Sequence, residues 1–224
     1  MSFPVAVLAL LTGIVVWALL ARRLTARPWE SPGAGEESEA RGVFAVPPAK
    51  VGLWGLLAVV TSLFGLFIAA FHMRMEHSHG DWTELAVPKL LWLNTAFLLL
   101  SSAAMQRARS AAGRGQAAGV RAGLLAGGVF AIAFIAGQLL AWQQLSHAGS
   151  YLTSGPSSSF FYLLTGVHGL HVLGGLIVWA RTAARMFRPG AEVIDLRLSI
   201  ELCTTYWHYL LLVWLVLFAL LLSN

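Results

Sequence analysis

Four ionisable side chains stand inside long apolar runs, His168 and His171 in one and Glu201 and His208 in the next. A charged or titratable group at bilayer depth is costly, so each of them requires a partner or a role. His168 and His171 are three residues apart and lie on nearly one face of a helix; Glu201 and His208, seven apart, share another. At a rise of 1.5 Å per residue, His168 stands about 12 Å below the outer end of its run and His208 about 12 Å above the inner end of its own. Packed as an antiparallel pair, the two helices bring the three histidines within about one turn of each other in height. Two chemistries are open to such a group. One is a hydrogen-bonded intramembrane cluster that includes Tyr206 and Trp207 and draws on Thr165, Thr204 and Thr205. The other is axial ligation of a haem, with Gly166, Gly169, Gly174 and Gly175 giving room for the porphyrin. Structural hydrogen bonding is favoured, because helix packing selects the same glycines and the rings around His208 would crowd a macrocycle. In this geometry Glu201 is expected to pair with His171, since His208 lies about 10 Å away along its own helix.

A second set, His72, His77 and His79 with Glu76 and Asp81, falls between two apolar runs. Mixed ligands on a loop with no enforced geometry read as solvated groups, not as a metal centre. The single cysteine, Cys203, sits in an apolar run and can form neither an internal disulfide nor a multi-thiolate site. The chain carries no haem-attachment motif, no paired copper-binding cysteines and no phosphate-binding glycine loop. No catalytic, cofactor-binding or metal-binding residue is assigned on these grounds.

The elements that must position these residues follow from composition. With 58% hydrophobic and 11% charged residues in 224, the chain is not a soluble domain, in which about a quarter of residues are charged. The formal charge of +5 does not indicate nucleic acid, because the fifteen Lys and Arg are scattered between apolar runs. Runs long enough to cross about 30 Å of hydrocarbon extend from Phe3 to Ala21, Val51 to Phe71, Leu85 to Met105, Ala122 to Ala141, Phe160 to Ala180 and Ile200 to Leu222. The expected fold is an all-α polytopic transmembrane bundle of six helices, since helices alone satisfy their own backbone in lipid.

Arg22, Arg23, Arg27, Arg41 and Lys50 follow the first run, Arg107, Arg109, Arg114 and Arg121 the third, and Arg181, Arg185, Arg188 and Arg197 the fifth. Only Arg74 and Lys89 fall on the opposite side, which places both termini, including Asn224, outside. The first run reads as a retained span because its basic residues come after it. Residues 1–23 then form an extra N-terminal helix and 24–49 a cytoplasmic linker with Pro28, Pro32, Pro47, Pro48 and an acidic stretch. Residues 50–224 form a five-helix membrane domain. High Ala, Gly and Arg usage points to a bacterial cytoplasmic membrane.

The stretch from Phe160 through Thr165, Gly166, His168, Gly169 and His171 to Val172 resembles, almost letter for letter, a helix of subunit III of cytochrome c oxidase and related haem-copper oxidases. Glu201 through Tyr206, Trp207, His208 and Tyr209, with Trp214 following, is similar to the last helix of that family. A third stretch, Pro88 through Trp92, Asn94 and Thr95 to Ser101 and Ser102, matches another of its helices. Two positions depart: Val60 stands where many members carry a buried glutamate, and Leu211 where the last helix usually has aspartate. The resemblance implies a chain with no redox centre of its own. It would pack on the catalytic subunit I, assemble with subunit II, bind phospholipid and sustain proton-coupled oxygen reduction, while haem and copper reside in the partners. Two other readings stay open at this stage: an accessory subunit of a nitric oxide reductase, and a small haem b electron carrier built on the three histidines. A transporter would call for interrupted helices in paired repeats, which the chain does not show.

Overall fold

The computed structural model describes residues 47–77, 88–190 and 192–223. Every regular element among them is α-helical: α1 (Pro48–Glu76), α2 (Leu90–Gly113), α3 (Ala117–His147), α4 (Pro156–Met186) and α5 (Val193–Leu222). They match the second to sixth expected spans, each extended by polar turns that continue the helix past its apolar run. The run from Phe3 to Ala21, the linker up to residue 46, and Asn224 lie outside the described residues.

Four of the five helices, α1, α3, α4 and α5, are long and apolar enough to cross a membrane. α2 is not among them, contrary to the expectation for Leu85 to Met105. The reason is that it carries Asn94, Thr95, Ser101 and Ser102, all buried against neighbouring helices, and ends in Gln106, Arg107 and Arg109.

Residues 52–224 form one compact unit, and its closest helix pair is α2 with α3. They are joined by the short turn Arg114 to Gln116, in which Gly115 takes a φ of 69° that other residues rarely adopt. The helices approach closely because α3 presents a glycine every four residues. A side chain at Gly119 would meet Ala111, one at Gly123 would meet Ala108 and the Ala104 carbonyl, and one at Gly127 would meet Met105. Further up the seam, Ser101 Oγ donates to the Gly127 carbonyl at 2.7 Å.

α5 closes the bundle against both α2 and α4. Met105, Leu124, Ile200 and Trp207 pack in the half that holds the start of α5, and Leu98, Phe134, Phe161 and Trp214 in the half that holds its end. α1 is held differently. It buries only Leu57, Val60, Phe64 and Phe71, a narrow stripe that meets Leu164, Val213 and Leu217 of α4 and α5. The Thr61 and Tyr209 hydroxyls add one polar link at 2.9 Å.

Candidate functional site

The family-like residues of α2, α4 and α5 converge in the bundle, but not as one cluster. His168 is fully buried, with its ring 5.1 Å from that of Trp214, 5.7 Å from Phe134 and 6.4 Å from Phe64. Neither of its ring nitrogens has a hydrogen-bond partner among the described residues. His171, one turn on, is half-buried and turns toward α1, with its ring 5.5 Å from Phe64 and its Nδ1 2.7 Å from the Val167 carbonyl of its own helix. Its backbone carbonyl accepts from the Tyr206 hydroxyl at 3.2 Å. Tyr206 and Trp207 fit the notch left by Gly175, where a Cβ would come within 2.9 Å of the tyrosine ring.

His208 faces α2. Its Nδ1 bonds Ser102 Oγ, and its Nε2 lies 3.0 Å from Gln106 Oε1. Glu201 also faces α2, where its carboxylate meets the Arg109 guanidinium at 3.2 Å. This corrects the expected pairing with His171. At the same level of α2, the Arg109 guanidinium offers a carboxylate both a full positive charge and fixed donors. Nor are the three histidines joined by hydrogen bonds among the described residues: His168 and His171 both lie against Phe64 of α1, whereas His208 bonds α2.

The aromatic side chains tie the helices together. Trp207 Nε1 donates to Ser101 Oγ at 2.8 Å, Trp214 Nε1 to Thr95 Oγ1 at 2.9 Å and Trp142 Nε1 to Thr165 Oγ1 at 3.1 Å. Thr95 and Thr165 each donate in turn to a carbonyl one turn back on their own helices, Leu91 and Phe161. Asn94 Nδ2 reaches Gln138 Oε1 of α3 at 3.4 Å. Trp92 is 61% exposed and packs edge-on against Phe218, while the Pro88 carbonyl accepts from the Leu91 amide at the start of α2.

The glycines proposed as room for a porphyrin divide. Gly175 is filled by Tyr206 and Trp207, Gly166 lies against the Trp142 ring, and Gly169 and Gly174 face open space. Among the described residues no three His, Cys, Asp or Glu side chains gather as a metal site. His72 and His77 each set Nδ1 against a carbonyl of α1, Ile68 and Met73, while His79 and Asp81 lie outside the described residues. A cavity of about 450 Å³ between α1, α4 and α5 has an almost wholly apolar lining that includes Leu53, Leu56, His171, Gly174, Cys203 and Tyr206. Sequence reasoning did not assign Gln106, Arg109, Gln138 or Trp142 to the site. Spacing along α2 carried part of the signal, since Ser102, Gln106 and Arg109 recur at helical intervals.

Residues 36–223 match the family model described as cytochrome c oxidase subunit III. The chain is 36% identical over 163 residues to a protein of Nocardia farcinica named probable cytochrome c oxidase subunit 3, covering 69% of this chain and 77% of that one. It is 33% identical over 162 residues to the protein of the same name from Mycobacterium tuberculosis, covering 69% and 76%. It is 31% identical over 188 residues to cytochrome c oxidase subunit 3 of Synechocystis, covering 81% and 78%. The residues that lace α2, α4 and α5 together are those on which the resemblance was first drawn, and the match runs through all five helices: the chain belongs to the cytochrome c oxidase subunit III family.

Proposed function

We propose that this chain is the non-catalytic subunit III of a bacterial cytochrome c oxidase, packing on subunit I beside subunit II and lengthening the life of the working complex. One observation carries the reading. Several polar residues of the family-like helices are engaged in helix-to-helix bonds, Trp207 to Ser101, Trp214 to Thr95, Trp142 to Thr165 and His208 to Ser102. Side chains used in this way build a rigid scaffold, so the oxygen chemistry falls to the haem and copper of the partner chains. The apolar cavity beside Gly174 is suited to a phospholipid acyl chain, and this is the site we assign to bound lipid.

In the proposed topology the protein crosses the cytoplasmic membrane six times. Phe3 to Ala21 supplies the first span and α1 to α5 the others, with both termini outside. α2, at 24 residues, is about 36 Å long and presents Trp92, Leu93, Leu99 and Leu100 outward, which supports its place as a span. Arg107, Arg109, Arg114 and Arg121 on one side of α2 and α3, and Arg181, Arg185, Arg188 and Arg197 around the junction of α4 and α5, support the orientation. Residues 1–23 act as an added helix, 24–49 as a linker and 50–224 as the subunit III domain.

The test compares oxygen-consumption traces of complete and chain-depleted oxidase at equal haem content. The depleted complex is expected to start at a similar rate and to lose activity faster over repeated turnovers. A depleted complex with intact haem spectra but no initial rate would refute the accessory role, and identical decay would refute the protective one. A Soret band in the isolated chain would instead favour the haem b carrier.

Val60, 2% exposed among Phe64, Leu164 and Val213, supports a role in packing and lipid binding over proton delivery. The Val60→Glu variant is therefore expected to give no gain in turnover or proton pumping and to be less stable by about 2 kcal/mol, the cost of burying an unpaired polar group. Proton-pumping stoichiometry in vesicles and thermal melting in detergent check the two halves of this expectation.

A further inference from the structure

Among the described residues four buried side-chain atoms have no hydrogen-bond partner: Asn94 Oδ1, Gln138 Nε2 and the two ring nitrogens of His168. They belong to one level of the bundle. On α3, Phe134 and Trp142 stand one turn to either side of Gln138. The Phe134 ring lies 5.7 Å from that of His168, and Trp142 donates to Thr165, so the antiparallel register sets Gln138 at the height of the turn from Thr165 to His168. Asn94 of α2 meets Gln138 at the same height.

The sense of the two amides follows from Gly137. A Cβ there would collide with Asn94 Oδ1, so the oxygen rests on the glycine's Cα–H, where an NH₂ would set hydrogen against hydrogen. Asn94 Nδ2 then donates to Gln138 Oε1 at 3.4 Å, and the Gln138 NH₂ is left with its donors unmatched. His168 offers the complement. A neutral imidazole carries one N–H and one bare lone pair. Phe64, Phe134 and Trp214 surround the ring; an aromatic face can receive the N–H, but it gives nothing to the lone pair. Thr165 is already engaged, donating to the Phe161 carbonyl and accepting from Trp142. The unmatched donor at this level is therefore the Gln138 NH₂, which does not reach the ring directly.

We propose that a single buried water molecule bridges Gln138 and His168. It accepts from Gln138 Nε2–H and donates to the bare ring nitrogen, which extends the Asn94–Gln138 contact into one chain from α2 through α3 to α4. Two polar partners are enough to hold such a water, and each of them would otherwise bear the cost of an unmatched group in an apolar layer. The site takes a ligand of water's size that can both accept and donate.

The test uses the full chain in bilayers with isotopically labelled histidine and reads magnetisation transfer from water protons to the ring nitrogens. The His168 signal is identified as the one lost in His168→Phe. In the unmutated chain it is expected to receive magnetisation from water, and in Gln138→Leu to lose it. A His168 signal without that transfer, or one that keeps it in Gln138→Leu, overturns the bridge. Stability gives a second reading. With the bridge in place Gln138→Leu strands the ring and His168→Phe strands the amide, so each is expected to raise the unfolding constant in detergent about fivefold to a hundredfold. The double variant, which removes both groups, should then unfold less readily than the product of the single effects. Single substitutions that lower the unfolding constant or leave it unchanged, with no coupling between them, mean that the groups were never joined and overturn the proposal. Should Gln138→Leu fail to fold, Gln138→Met is read in the same way.

Discussion

Replacing Trp214 with alanine is expected to destabilise the folded chain by about 3–5 kcal/mol, the range for truncating a large buried ring. The residue is fully buried, and its ring lies 4.9 Å from Phe134 on α3 and 5.1 Å from His168 on α4, so one side chain fills the space between three helices. Its Nε1 also donates to Thr95 of α2 at 2.9 Å. Thr95 keeps its own bond to the Leu91 carbonyl, so the loss is of ring volume and one incoming hydrogen bond, without a stranded hydroxyl hydrogen. Trp214→Phe should therefore cost much less, with about 1 kcal/mol of it assigned to the missing bond. Unfolding midpoints of the two variants in the same detergent give the comparison. Equal midpoints for alanine and phenylalanine would show that the ring is not what joins α2, α3 and α4.

A comparable loss is expected when a side chain is added where none fits. Gly128 of α3 lies directly beneath the ring of Trp179, which donates its Nε1 to the Leu124 carbonyl at 2.8 Å. A Cβ at position 128 would occupy space held by the indole, so Gly128→Leu must expel the ring, break that bond and part α3 from α4. Overpacking on this scale is expected to cost about 3 kcal/mol or slightly more. The diagnostic measurement is a double-mutant cycle. Trp179→Leu alone leaves a gap, whereas Gly128→Ala with Trp179→Leu partly fills it, so the double variant should be more stable than the sum of the singles predicts. Strict additivity would mean that the two positions do not compete for the same space.

The difference between what could be read in advance and what could not has a physical basis. The apolar runs mark where five helices lie, four of them apolar enough to cross a membrane, because each helix satisfies its backbone within one continuous segment. They under-describe α2, whose Asn94, Thr95, Ser101 and Ser102 are polar in sequence yet buried in the bundle. The motif residues were visible as types, and several do point inward. Their partners were not, because a helical face fixes a direction but not the neighbour it meets. Glu201 was paired with the adjacent helix in sequence, whereas its ion pair crosses 92 positions to Arg109; Trp214 likewise crosses 119 to reach Thr95. His168 was expected among hydrogen-bonding groups and instead sits among Phe64, Phe134 and Trp214, a setting that no spacing rule distinguishes from a polar one.

The thin attachment of α1 also bears on the order in which the protein is made. Its buried stripe and the Thr61 hydroxyl find their partners on α4 and α5, with Tyr209 lying 148 residues downstream. At about 5–20 residues per second, a ribosome needs on the order of 10 s to deliver that partner after Thr61 has emerged. α2 and α3, joined by a three-residue turn, can zip together in the meantime. Among the described residues the α4 and α5 partners of this stripe are therefore made last, and this part of the bundle is completed from its C-terminal end backward.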